Sequence, residues 1–163
     1  MNLGQYLIEK LQDYGANHVF GIPGDYSLNF IREVNNHPTM EYVGVCREDS
    51  AGYAADAYGR MNGCGVACIT YSVGAMNTMN ATAGAYAEKS PMVIISGMPT
   101  KKDLQSTKYK HHTILNEDTQ KEIFDKITVY SLTLDWPSMP INLFLLHHAL
   151  EEMREQSRPI YLE

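Results

Sequence analysis

The sequence predicts an α/β fold: a single three-layer α/β/α domain around a mainly parallel sheet of about six strands. Two observations carry this expectation. The apolar period switches back and forth between strand-like and helix-like along the whole chain. The run at residues 65–71 is apolar on both faces, as a strand covered by helices on each side requires. Connections are short, and no repeat, linker or low-complexity stretch divides the 163 residues, so residues 1–163 read as one domain.

Leu3, Leu7 and Leu11 recur every four residues and predict a helix over 2–14, with Asn2 and Gln5 as a capping box and Gly15 as the stop. His18-Val-Phe-Gly-Ile22 is a short strand. Pro23-Gly24-Asp25 is a turn, with Asp25 placed to start a helix over 26–35 whose apolar positions are Leu28, Ile31 and Val34. Residues 41–46 form the second strand and 48–62 an Ala-rich helix. The third strand covers 65–71. Residues 73–88 are helical and again rich in Ala and Gly. A fourth strand covers 91–97. Residues 98–117 are polar and read as a long loop, which in a compact domain is usually functional or mobile. A short helix over 117–124, a fifth strand over 127–132, a helix opened by Pro137 and running over 140–156, and a last strand over 158–162 complete the chain.

With 44% apolar and 20% charged residues the composition is that of an ordinary globular domain. Thirteen basic against nineteen acidic residues leave a net charge of −6. The basic cluster Lys101, Lys102, Lys108 and Lys110 is short, which argues against nucleic acid as a partner. Three cysteines make an odd count with no CxxC pair. Cys46 and Cys68 sit in apolar runs, so buried reduced thiols and a reducing cytoplasm are expected. The longest apolar runs, 92–95 and 143–146, are too short to span a bilayer, and the N-terminus does not read as a signal peptide. No membrane association is expected.

The most informative side chain is Glu48, at a strand-to-helix junction ahead of Ser-Ala-Gly-Tyr-Ala-Ala-Asp-Ala-Tyr-Gly-Arg60. Small residues there let another surface come close. An acid at the mouth of such a helix can be drawn out of water, which raises its proton affinity and suits it to proton transfer near neutral pH. Ligands of open parallel sheets bind at the carboxyl ends of strands. Four features fall there: Asp25, Glu48, Tyr71-Ser-Val-Gly-Ala-Met-Asn77, and His111-His112. Each also has an ordinary role available. Asp25 can be a helix cap, Glu48 or Asp49 a helix-dipole partner, Gly74 turn punctuation, and the His pair solvated. Their convergence at one rim outweighs any single reading. No G-x-G-x-x-G, Walker loop, HExxH or paired CxxC is present, Ser72 lacks the G-x-S-x-G context, and no acidic residues are spaced for a metal.

Phe20-Gly-Ile-Pro-Gly-Asp-Tyr26, the stretch 48–60, the stretch 71–77, Ala85-Tyr-Ala-Glu88 and His111-His-Thr113 occur in one order. That order resembles the N-terminal, pyrimidine-binding domain of thiamine-diphosphate-dependent 2-oxo acid decarboxylases, the pyruvate and indolepyruvate (phenylpyruvate) group above all. The resemblance covers essentially the whole chain. Glu48 ahead of Tyr-Ala-Ala-Asp marks the wider superfamily; the Gly-Asp-Tyr turn and the His pair narrow it to decarboxylases. Where the family has Asp-Gly-Tyr-Ala-Arg, this chain has Asp56-Ala-Tyr-Gly-Arg60, a harmless swap of small residues.

The resemblance implies that Glu48 hydrogen-bonds the cofactor's aminopyrimidine and favours the imino form that removes the thiazolium proton. It implies that Ser72, Val73, Gly74 and Asn77 line the pyrimidine pocket, and that Asp25, His111 and His112 relay protons around the 2-oxo acid. In the family, Mg²⁺ and the diphosphate are held by a separate domain of the same or another chain, marked by Gly-Asp-Gly and a downstream Asn-Asn. Gly24-Asp25-Tyr26 with Asn35-Asn36 is a decoy for that signature: the third residue is wrong and the spacing too short. The middle and diphosphate-binding domains are thus expected outside this chain, which alone would be weak or inactive, and a homodimer is expected. Two other readings stand beside this one. A free-standing dimerisation or binding module would have no use for Asp25, Glu48 and both histidines. Half of a carboligase of the acetolactate synthase type is disfavoured by the Gly-Asp turn and the His pair.

Overall fold

The computed structural model describes residues 1–104, 110–116, 118–135 and 139–163. Lys108, Glu117 as first residue of the short helix, and Pro137 as opener of the long one lie outside the described residues.

The chain alternates between strands and helices. Helix α1 (Leu3–Asp13) leads to strand β1 (His18–Gly21), α2 (Leu28–Asn36) to β2 (Glu41–Gly44), and α3 (Glu48–Asn62) to β3 (Gly65–Thr70). Two helices, α4 (Val73–Met76) and α5 (Met79–Glu88), precede β4 (Met92–Gly97). Then come α6 (Lys101–Leu104), α7 (Thr119–Phe124), β5 (Tyr130–Leu132), α8 (Met139–Gln156) and β6 (Ile160–Leu162). The six strands form one sheet in the order β2-β1-β3-β4-β6-β5, every neighbouring pair parallel. The expected α/β architecture is the observed one. The central strands β3 and β4 have six residues each, whereas the edges have four (β2) and three (β5).

Alternation along the strands splits the core into two layers. Val66, Cys68, Val93, Ile95, Ile160 and Leu162 pack under α1, α2 and α8, against Leu7, Leu11, Ile31, Leu146 and Leu150. Ala67, Ile69, Met92, Ile94 and Tyr161 turn the other way, against Ala51, Ala55, Ala75, Ala85 and Phe124 of α3, α4, α5 and α7. One face is aliphatic and bulky, the other is largely alanine. On the alanine face α3 lies so near the sheet that a Cβ on Gly65 would fall 1.7 Å from the Ala55 carbonyl oxygen.

Local signals account for most boundaries. Asn2 accepts from the Gln5 amide (2.9 Å) while the Gln5 side chain accepts from the Asn2 amide (3.1 Å), so the capping box forms. Glu48 and Asp49 open α3 and Arg60 closes it, complementing its dipole.

Four expectations are corrected. The second helix starts at Leu28 rather than residue 26, with Ser27 as its cap and Asp25 outside it. The intervening turn is closed by Ser27, whose Oγ accepts from the Gly24 amide (3.0 Å) and donates to the Gly24 carbonyl (2.9 Å). The helix expected over 73–88 is two helices, because Thr78 Oγ1 donates to the Ala75 carbonyl (2.7 Å) where the chain turns. Cys46 is exposed, because its strand ends at Gly44 on the sheet's edge. Cys68 is buried as expected, Cys64 is buried too, and burial pushes both thiols up to about 12. Part of the loop expected over 98–117 is helical, in α6. Among the described residues, no helix is long and apolar enough to cross a membrane.

Candidate active site

The strand order reverses between β1 and β3, and in open parallel sheets the carboxyl ends of the strands at such a switch point are where ligands bind. The turn after β1 carries Asp25, and the turn after β3 carries residues 71–77. Both close on Thr70, the last residue of β3. A Cβ on Gly24 would lie 2.6 Å from Thr70 Cβ, and one on Gly74 would lie 2.6 Å from Thr70 Cγ2. Bare backbone on both sides of one threonine brings the two turns together.

On the Gly74 side stands Glu48, half-buried in the first turn of α3. Its Oε2 accepts from Asn77 Nδ2 at 3.0 Å. Its Oε1 faces Gly74, 3.9 Å from where a Cβ would be. Asn77 reaches Glu48 because the chain breaks between α4 and α5 at this residue. The neighbouring acid takes the ordinary surface role. Asp49 is bound by Arg47 through two hydrogen bonds (3.1 and 2.9 Å), which hold its carboxyl below the usual range, and it also accepts from the Ser50 amide. Of the two carboxylates at the start of α3, Glu48 is the one turned to the rim.

On the Gly24 side Asp25, His111 and His112 come together. Asp25 Oδ2 lies 3.8 Å from His111 Nε2, and the two imidazole centroids are 4.6 Å apart. Tyr26 stacks on His111 (6.0 Å) and meets Tyr71 edge-on (5.2 Å); burial raises the Tyr26 hydroxyl pKa. Asp25 and His111 are largely open to solvent, so protons can enter and leave here.

Ser72 and Val73 have different places. Val73 is 47% exposed beside the turn. Ser72 is buried and adopts φ 56°, the left-handed region that side chains avoid. Its amide donates to the side-chain oxygen of Gln120, a residue missed by the sequence reading. Gln120 is 2% exposed and donates onward to Ser96 (3.0 Å) and Tyr161. A glutamine inside a short helix gives no sequence signal of this kind, since its partners lie on three different strands or strand ends.

A larger cavity, about 900 Å³, lies elsewhere, between α1, α2 and the ends of β4 and β6, lined by Leu7, Phe30, Glu33, Met98, Leu134 and Glu163. Its acid Glu33 is occupied by Asn2 and Gln5 (2.9 and 3.0 Å). Volume favours that cavity, but the convergent acid–base groups favour the rim. Among the described residues, no group of three or more His, Cys, Asp or Glu could hold a metal ion.

A doubly covered parallel sheet with a held carboxylate and a carboxylate–imidazole cluster at its switch point makes this an α/β domain with a candidate ligand site at the strand ends. The family is identified by comparison. Residues 1–125 match the model for the thiamine pyrophosphate enzyme, N-terminal TPP binding domain, and the chain belongs to that family. It is 40% identical over 98% of its length to an alpha-keto-acid decarboxylase of Mycobacterium bovis and 41% identical over its full length to an indole-3-pyruvate decarboxylase of Azospirillum brasilense. It is 35% identical over its full length to a probable pyruvate decarboxylase of Schizosaccharomyces pombe. The chain spans less than a third of each relative: 28%, 30% and 29% respectively.

Proposed function

We propose that this chain supplies the pyrimidine-binding half of a thiamine-diphosphate-dependent decarboxylase that converts a 2-oxo acid to an aldehyde and carbon dioxide. The observation that carries the reading is the Glu48 carboxylate, held by Asn77 on one oxygen and open toward Gly74 on the other, across Thr70 from Asp25, His111 and His112.

These residues fit the cofactor's pyrimidine ring. Thiamine diphosphate, when bound, supplies the nucleophilic carbon and the electron sink that let carbon dioxide leave a 2-oxo acid. Glu48 would hold the pyrimidine ring by sharing a proton with a ring nitrogen through Oε1, the oxygen that Asn77 leaves open. Asn77 fixes the carboxylate's rotamer, and bare backbone at Gly74 lets the flat ring approach. Asp25, His111 and His112 exchange protons between the reacting substrate and solvent, a task to which imidazole is suited near neutral pH. Mg²⁺ and the diphosphate would be held by a diphosphate-binding domain of the same or another chain. The assembly is a cytoplasmic homodimer in this reading.

The test is complementation. Mixed with a diphosphate-binding domain, thiamine diphosphate, Mg²⁺ and pyruvate or indolepyruvate, the chain should produce aldehyde. Glu48→Gln keeps the Asn77 contact geometry and removes the exchangeable proton, so aldehyde formation should fall about 100-fold or more. An unchanged rate in Glu48→Gln would refute the assignment.

A further inference from the structure

The two histidines sit on a loop whose conformation is unfavourable. His112 has φ 74°, a left-handed conformation that a residue with a Cβ keeps only where its surroundings over-determine it. The imidazole does not anchor itself through its inner nitrogen: Nδ1 is buried and has no hydrogen-bond partner among the described residues. The loop can instead be held through its backbone and its neighbours.

Tyr71, the residue after β3, is placed to do so. It is 3% exposed. Its hydroxyl donates to the carbonyl oxygen of His111 and lies 3.2 Å from Thr113 Oγ1. A carbonyl can only accept, so the Tyr71 proton goes to His111 and the Thr113 hydroxyl donates to Tyr71. The two contacts fall on either side of His112. The Tyr71 ring also lies 6.1 Å from the His112 ring and meets Tyr26, next to Asp25, edge-on at 5.2 Å. One buried side chain thus touches both loops that carry the acid–base cluster.

We propose that Tyr71 is the positioning residue of the histidine pair. Its hydroxyl clamps the chain on both sides of His112, holds that residue in the left-handed conformation and keeps His111 opposite Asp25 with His112 beside it. Tyr71 moves no proton in the reaction, because its own is committed to a backbone carbonyl. The role of the histidines in turnover rests on the function proposed above. The clamp itself is a property of this chain alone.

The test has two arms, built on Tyr71→Phe, which keeps the ring and removes the hydroxyl. In the isolated chain, NMR order parameters of the amides at 111–113 should fall from about 0.85, typical of rigid backbone, to below about 0.6, with the sheet unchanged. Unchanged order parameters, a loop already loose in the parent chain, or loosening of the whole sheet would each overturn the clamp. In the complemented enzyme, Tyr71→Phe should slow aldehyde formation about 10- to 100-fold, as misplaced acid–base groups do. It should slow it no further when His111→Ala and His112→Ala are both already present. An equal loss in both backgrounds would assign Tyr71 a general structural role instead. Should the parent chain yield no aldehyde with its complement, the proposed function fails, and the order parameters still decide the clamp.

Discussion

The two faces of the sheet are packed by different means. Under α1, α2 and α8 the sheet meets leucine, isoleucine and valine, whose side chains fill the space between layers. Under α3 and α5 it meets alanine and glycine, and backbone approaches backbone. Stability on the first face comes from buried apolar volume. On the second face the close approach sets a distance, and that distance places Glu48 and Asn77 at the same rim. The fold thus assigns bulk to one side and position to the other.

This contrast is open to test by substitution in the isolated chain, with urea unfolding as the measurement. The largest effect is expected at Gly65, where a Cβ would meet the Ala55 carbonyl, a backbone atom that cannot rotate away. Gly65→Ala should cost about 4 kcal/mol or more, or prevent folding. Leu150→Ala, a fully buried truncation on the aliphatic face, should cost about 3 kcal/mol through lost burial and the cavity left behind. If the single methyl added at Gly65 proved cheaper than the loss of most of a leucine, the division between the faces would be wrong. Gly84, on the outer side of α5, has nothing within 4 Å of its added Cβ. Gly84→Ala should stabilise the chain by about 0.5–1 kcal/mol by helix propensity alone. A loss there would mean that close packing extends beyond the layer facing the sheet.

Much of this was legible in the sequence because the signals were local. The capping box at Asn2 and Gln5 and the apolar period of α1 need only the residues of that helix. The double-sided apolar run of β3 announced a covered sheet. Asp25, Glu48 and the His pair were legible because parallel-sheet topology sends strand ends to one side. What escaped were consequences of tertiary contact. The interruption between α4 and α5 depends on the Thr78 hydroxyl competing for the Ala75 carbonyl, an option open to many threonines that stay helical. Cys46 reads as core until its strand is known to be an edge. Gln120 meets Ser72 across 48 residues, and Tyr71 meets His111 across 40, and neither pair has a pattern to betray it.

The tapering of the sheet bears on how such a domain associates with others. Its long strands are interior, and its unpaired strand edges are only four and three residues long. Short edges offer few free backbone groups to a passing strand, which blunts the template for fibrillar or domain-swapped pairing. Association is thereby steered toward the helical flanks and the loops at the strand ends, where a docking surface can be selective and reversible.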